Sequence, residues 1–304
     1  MLSPAPRSAI VLSAALIVLT ACSSGGTKAS PTGSTGSGAS PVASVPKDQL
    51  VVAGNLFACI DIPYPPQESF DDQGNPIGSD VDIATEIANR LGLKLKVENT
   101  VFDVIIPALT GGKCDIIISA QNINADRLKQ VDMIPYFKAG QSFVVAKGNP
   151  KGIKTKADLC GKVIAVEKGT TELDFLQGTG DYKGAGLSDG CVKDGKPAIT
   201  VKQFDKDNDA LLALQSGTAD AYFADSPAAG YYVEKHGDQF QLSGLTLEVA
   251  LEGISVAKTN TKLRDAVKTA LLSMISDGKY LAILEKWGLK DSAVTADEVN
   301  SGKL

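Results

Sequence analysis

Five residues, Asp115-Ile116-Ile117-Ile118-Ser119, constrain this chain more than any other stretch. Three consecutive isoleucines with no polar alternation read as a strand buried on both faces, the pattern of a parallel sheet covered by helices on each side. The segments before it fit that reading. A strand at 56–60 leads through a hairpin-like turn at Asp71–Pro76 into a helix that starts at Ser79 or Asp80. That helix carries Ile83, Ala84, Ile87, Ala88 and Leu91 on one face and is stopped by Gly92. A strand at 93–98 and a helix entered through Asp103, with Pro107 in its early turns, complete a β-α-β-α-β order. This order makes an α/β lobe with helices on both faces of a mainly parallel sheet.

After Phe137 the pattern restarts. Strands at 142–147 and 162–167, a helix at 172–177, a strand at 200–204, a helix at 208–216 and a strand over Ala219–Phe223 build a second lobe. Ser226-Pro227 then reads as an N-cap and first helical residue. The chain crosses back at Leu251–Lys258, and helices near 261–276 and 279–287 return to the first lobe. The apolar stripe Leu263, Val267, Ala270, Leu271, Met274 and Ile275 is a core stripe. Lobe 1 is therefore 50–140 plus 252–290 and lobe 2 is 141–251, with 291–304 as a tail. Two crossings, near 138–142 and 248–253, form a two-strand hinge.

Between the Asp115 strand and Phe137, a short helix N-capped by Asn124 or Asp126 carries Arg127 in its first turn. The helix dipole already favours negative charge there. An Arg beside free backbone N–H groups makes a strong carboxylate site; the other reading is a solvated Arg pairing Asp126 or Asp132.

The N-terminus reads as a processing segment. Arg7 precedes an apolar run, Ala9–Val18, too short to span a bilayer comfortably. Leu19-Thr20-Ala21-Cys22 has the form of a lipoprotein cleavage box, with 1–21 as signal peptide and Cys22 as the acylated residue; an ordinary signal peptide with a chance Cys is the alternative. Residues 22–49 are dominated by Ser, Gly, Thr, Pro and Ala and read as a flexible linker. About 25 such residues reach on the order of 25–30 Å, which suits a protein held at the outer face of a cell membrane. Removing 1–21 deletes one cation, Arg7, and no acid, so the net charge moves from −5 to −6. With no basic patch and no metal-type cysteine pair, nucleic acid and metal are not expected.

Four cysteines follow Cys22 in an oxidising compartment. Cys160 and Cys191 bracket a Gly-rich excursion and are expected to be bridged, which contributes on the order of 3–4 kcal/mol. Cys59 and Cys114 adjoin parallel strands towards opposite ends, so a bridge and two buried thiols both stay open.

A set of short motifs, in order along about residues 50 to 290, resembles the polar amino-acid solute-binding proteins of ABC importers, with the type II periplasmic binding-protein fold. They are Asp61-Ile62-Pro63-Tyr64-Pro65-Pro66, Gly78-Ser79-Asp80-Val81-Asp82, Phe102-Asp103-Val104-Ile105-Ile106-Pro107-Ala108-Leu109, Gly112-Lys113-Cys114-Asp115, Ile123-Asn124-Ala125-Asp126-Arg127, Gly169-Thr170-Thr171 and Asp225-Ser226-Pro227. The resemblance implies an exported, monomeric, lipid-anchored protein without cofactor or enzymatic activity. Its partners would be a free amino acid and the permease and ATPase of an importer.

It also implies roles. Arg127 would hold the ligand carboxylate, helped by Thr170 and Thr171; Asp225 would take the ammonium. On local grounds alone, Gly169-Thr170-Thr171 equally reads as a capped helix start and Asp225 as an acid near a helix N-cap. Tyr64 and Phe102 would sandwich the side chain, though without the resemblance both read as core residues. Asp61 would read the far end of the ligand, and Ser119, Ala120 and Asn122 would present polar groups. Gln67 and Ser79 stand where the family usually has aromatics, and position 224 is Ala224. A cationic or amide amino acid follows from Asp61. Rival readings are a dehydratase of the cyclohexadienyl type on the same scaffold, against which the only histidine, His236, reads as a solvent-exposed helix end, and a ligand carrier for a sensor receptor.

Overall fold

The computed structural model describes residues 41–247 and 249–302; the signal segment and Cys22 lie outside them. Strand β1 (Asn55–Ile60) leads into a small hairpin, β2 (Ser69–Phe70) and β3 (Pro76–Ile77), then α1 (Ser79–Arg90) and β4 (Lys94–Asn99). Helix α2 (Ile105–Thr110), β5 (Ile116–Ile117), α3 (Ala125–Gln130) and β6 (Val131–Ala139) follow. The second half has β7 (Gln141–Ala146), β8 (Val163–Glu167), α4 (Thr171–Gln177), α5 (Leu187–Lys193), β9 (Thr200–Phe204), α6 (Asp207–Gln215), β10 (Ala221–Asp225), α7 (Ser226–Lys235) and β11 (Phe240–Thr246). The chain closes with β12 (Ala250–Ala257), α8 (Thr261–Ser276), α9 (Lys279–Lys286) and α10 (Ala296–Ser301).

Two five-stranded sheets result, ordered β4-β1-β5-β12-β6 and β11-β7-β10-β8-β9. In each, four strands run in one direction and one, β12 or β7, runs against them. In the first, β1 pairs β4 and β5 in parallel while β12 runs antiparallel to β5 and β6. In the second, β8 pairs β9 and β10 in parallel while β7 runs antiparallel to β10 and β11. The triple-isoleucine run is buried on both faces, yet only Ile116 and Ile117 are strand; Ser119 and Ala120 leave the ladder, Ala120 at a φ of 45°.

The sheets are joined where β6 passes to β7 at Gly140 and where β11 passes to β12. These two connections lie side by side, with Leu247 N–H donating to the Gln141 carbonyl, and the start of α7 joins them through Ser226 N–H to the Gly140 carbonyl.

Both faces of each sheet are packed. On the first, α1 presents Ile83, Ala84 and Ile87 and α8 presents Leu263, Val267 and Leu271 to one core, while Ile105, Leu109, Ile117 and Val131 form a core on the other face. On the second, Phe143, Ile164, Val166 and Leu176 lie on one side and Val144, Ala210, Leu214 and Tyr222 on the other.

Three sequence expectations change and one open alternative is resolved. The linker reading fails at its end, because Ala43, Val45 and Leu50 pack on the first core and Val42 N–H donates to the Arg90 carbonyl. The stretch after 290 is not loose: Val294 and Val299 are buried in that core, and Thr295 caps α10 in a capping box with Glu298. Helix α7 is shifted by one residue, with Asp225 at the N-cap and Pro227 second in the helix. Finally, Cys59 and Cys114 are bridged, with Cα atoms 5.7 Å apart, as are Cys160 and Cys191 at 5.4 Å. Cys114 lies just outside β5, so its path is not tied to the strand register.

Candidate ligand-binding site

The carboxyl ends of parallel strands from both sheets converge on one cavity, where α/β sheets place ligands. Its atom-free space, part of it open to solvent, is about 310 Å³. From the first lobe Asp61, Tyr64, Phe102, Ser119, Ala120 and Asn122 line it; from the second come Thr170 and Asp225. Three further acids line it that the sequence reading did not single out: Glu68, Glu167 and Glu172. Arg127 and Thr171 do not line it and stand just behind Asn122.

Local chain geometry aims these groups. Asp61 follows β1 directly; its N–H donates to Ser119 Oγ at 2.9 Å and its Oδ2 accepts from Phe102 N–H at 2.7 Å. Its other oxygen meets Lys206 Nζ, which also donates to the Ile62 carbonyl at 3.2 Å. Ser119 Oγ donates to Glu68 Oε1 at 2.7 Å, and Tyr64 and Glu68 exchange backbone hydrogen bonds. Ala120 N–H donates to Asp80 Oδ2 at 3.1 Å, which also accepts from Tyr136 Oη.

The two lobes meet across the cavity through polar contacts. Tyr64 Oη donates to Asp225 Oδ2 at 3.0 Å and accepts from Asp225 N–H at 2.9 Å. Thr171 Oγ1 donates to Asn122 Oδ1 at 2.5 Å. Arg127, capped in at its helix start by Asn124, donates Nη1 to the Asn122 carbonyl and Nη2 to the Gly169 carbonyl at 2.7 and 2.9 Å. Its guanidinium also lies 5.3 Å from the Phe102 ring centre. The solvated-Arg reading therefore falls: Arg127 is buried, Asp126 pairs with Lys129, and Asp132 pairs with Arg264. Gly169 allows this approach, since at its φ of 76° an added Cβ would sit 2.9 Å from Asp103 Cα.

Thr170 does what its local reading says: its hydroxyl caps α4 by accepting from Leu173 N–H and donates to the Glu167 carbonyl. Asp225 does not. It sits at the N-cap of α7 but spends no side-chain oxygen on the helix. Gln67 and Ser79 do not border the cavity either. Both are fully buried behind it, and Gln67 Nε2 donates to Glu252 Oε2 at 2.7 Å.

Negative charge dominates. Five carboxyls line the cavity, against Lys206 and Arg127 nearby. Burial pushes the carboxyls of Glu68, Glu167 and Asp225 well above the ordinary range, with neighbouring acids adding to it. Burial also raises Asp61 and Glu172, opposed by Lys206 in the first case and by hydrogen bonds and Arg127 in the second. Burial lowers Arg127, opposed first by Glu172.

Polar atoms left without partners concentrate here. Among the lining residues they are Glu68 Oε2, Asn122 Nδ2, Glu172 Oε1 and Asp225 Oδ1; Gln67, Ser79, Asp80 and Glu252 supply the others just behind. Native interiors pair nearly all such groups, so a cluster of exceptions marks a place built for something else to fill. Sequence offered one signal for the missed acids: Glu167 ends a buried apolar strand, Val163–Glu167, at its carboxyl end.

Residues 56–290 match the model of the family described as bacterial extracellular solute-binding proteins, family 3. The chain belongs to that family. Among characterised members, it is 29% identical over 235 residues to the L-cystine-binding protein TcyJ of Escherichia coli K12, covering 77% of this chain and 82% of that one. Among solved structures, an ancestral arginine-binding protein bound to arginine is 37% identical with a TM-score of 0.68, covering 77% of this chain and 98% of that one. An ancestral amino acid-binding protein, a precursor of cyclohexadienyl dehydratase, is 32% identical with a TM-score of 0.65, covering 77% and 95%. Family membership accords with the two-sheet α/β architecture, which these structures share.

Proposed function

We propose that this family member captures a polar amino acid, cationic or amide in its side chain, between its two lobes and delivers it to the permease and ATPase of an importer. One observation carries the reading: a single cavity is lined from both lobes, and its unpartnered atoms are three carboxyl oxygens and one amide N–H. That inventory asks for a ligand rich in donors with one acceptor end. The α-ammonium goes to Asp225, and the side-chain donors go to Glu68 and Asp61. The carboxylate is received at Asn122 Nδ2, with Arg127, Thr170 and Thr171 behind it; Arg127 spends two of its five N–H groups on backbone carbonyls. Tyr64 and Phe102 flank the aliphatic part.

Because the ligand touches both lobes, it favours the closed form, and that differential affinity is the clamp. The hinge is formed by the two connections, at Gly140 and between β11 and β12. No turnover is involved. The protein works as a monomer at the outer face of the cell membrane, tethered through lipidated Cys22, which lies outside the described residues.

The test is calorimetry and solution scattering on the exported portion with L-arginine, L-lysine, L-glutamine and L-glutamate. Binding of a basic or amide amino acid with measurable compaction is expected. Tight binding of L-glutamate, binding without a change of shape, or dehydratase turnover of prephenate or arogenate would overturn the reading.

A further inference from the structure

The family reading assigns the ammonium to Asp225 and leaves Glu172 without a task, although Glu172 lines the same cavity. Glu172 stands in the first turn of α4 and Asp225 at the end of β10, both in the second lobe. Their carboxyl groups lie within hydrogen-bonding reach of each other. They are 2% and 3% exposed, and Glu172 Oε1 and Asp225 Oδ1 each lack a donor. Two buried carboxyls this close, each with an oxygen that lacks a donor, need a proton between them.

We infer that Glu172 is a second seat for the ligand's α-ammonium: the Glu172–Asp225 pair shares one proton while the cleft is empty, and ligand capture expels it. The step balances simply. The proton held in the Asp225–Glu172 hydrogen bond leaves to solvent, and two N–H groups of the incoming ammonium take its place, one to each carboxylate. Asp225 is already set for the ionised state, since its Oδ2 accepts from Tyr64 Oη.

The charged and titratable groups facing the pair decide where the proton resides. Arg127 on α3 faces Glu172 and stabilises its ionised form. Tyr64, Glu252 on β12 and Glu172 itself surround Asp225, and the two acids raise it well above the ordinary range after burial has done most of the work. Asp207 at the start of α6 also feels Glu172. The proton therefore belongs mainly to Asp225, donated towards Glu172. Below the raised Asp225 value, affinity rises with pH by up to tenfold per unit, because each capture must release one proton.

This inference rests on the amino-acid clamp. The experiment is calorimetric titration with L-arginine, and with L-glutamine in parallel, in phosphate and in Bis-Tris at one mildly acidic pH. The difference in apparent heat counts protons. Release of close to one proton per ligand is expected for the wild type, and close to none for Glu172→Gln, with about tenfold weaker binding. Binding with no proton transfer, or an unchanged count in Glu172→Gln, overturns this proposal and leaves the clamp standing. No binding of either amino acid defeats both. If Glu172→Gln does not bind, infrared difference spectra of the wild type decide: a protonated carboxyl band must be lost on adding L-arginine, and its persistence overturns the proposal.

Discussion

Two sets of buried acids in this protein are finished differently. Asp115, under the first sheet, accepts from the N–H groups of Val51 and Phe57, each at 2.7 Å. Asp207, under the second, accepts from the hydroxyls of Tyr222 and Tyr232. Both oxygens of each are used, and neither residue lines the cavity. Glu68, Glu172 and Asp225 are as deeply buried, yet each leaves an oxygen unpaired and all three line it. Burial alone therefore does not separate structural from functional acids here. Among these five acids satisfaction does, and an unpaired buried oxygen costs about 1–3 kcal/mol unless something from outside supplies the donor.

The sharpest way to break that contrast is to exchange the two kinds. Asp225→Asn keeps size and shape but removes the charge facing the ligand. It is expected to weaken L-arginine binding by more than 100-fold, about 2.7 kcal/mol or more, with little change in melting temperature. Asp207→Ala is expected to do the reverse. Stranding two buried tyrosine hydroxyls costs roughly 2–4 kcal/mol of stability, read from urea midpoints, while affinity shifts by less than tenfold. Should both variants lose binding and stability together, the division between satisfied and unsatisfied acids would have no functional meaning.

How much of this was legible in the chain follows the same line. Periodicity carried α1 and α8, because their apolar faces repeat at helical spacing over three turns or more. The strand at Ile116 was legible too, but not that it stops after two ladder residues so that Ser119 and Ala120 turn into the cavity. Motif order along 50–290 brought eight of the ten expected residues to one cavity lining. Periodicity alone read Tyr64 and Phe102 as core. Glu68, Glu172 and Lys206 carried no local signal: each looks like an ordinary surface charge, and only the tertiary fold brings it to the cavity. Gln67 and Ser79 misled for the complementary reason, since position in a motif does not say which way a side chain faces. Ala43 and Val45 were lost among serines and glycines, although both pack on the first core.

Lys206 offers a subtler test. It comes from the second lobe and neutralises Asp61 in the first, standing where a ligand's own cation would go. Lys206→Met leaves the Asp61 carboxylate free for that cation. The ratio of L-arginine to L-glutamine affinity is expected to rise about tenfold, since an opposite charge within a few ångströms of a partly buried carboxylate carries an energy of that order. Competition calorimetry reads the ratio directly. An unchanged ratio would place the ligand's side-chain terminus away from Asp61.

The smallest effect expected is on stability against pH, and its sign distinguishes these acids from ordinary surface ones. Burial pushes Asp80 up to about 6 and Asp207 up to about 7, with tyrosine hydroxyls opposing the rise in both. A carboxyl raised in the folded state holds its proton where the unfolded chain has already lost it. Its contribution to stability is complete below about pH 4, the ordinary aspartate range, and is lost as pH climbs through 6 and 7. Exposed acids such as Asp71 and Asp158, held low by hydrogen bonds, contribute in the opposite sense, but only below about pH 4, so they leave the neutral range untouched. The ligand-free protein is therefore expected to melt several degrees higher at pH 5 than at pH 8. Asp207→Asn should remove its own part of that slope, which ends near pH 7, and leave the parts due to Asp80 and the cavity acids. A melting temperature that rises towards pH 8 would mean that these carboxyls are ionised in the folded protein, and that their tyrosine partners outweigh the burial.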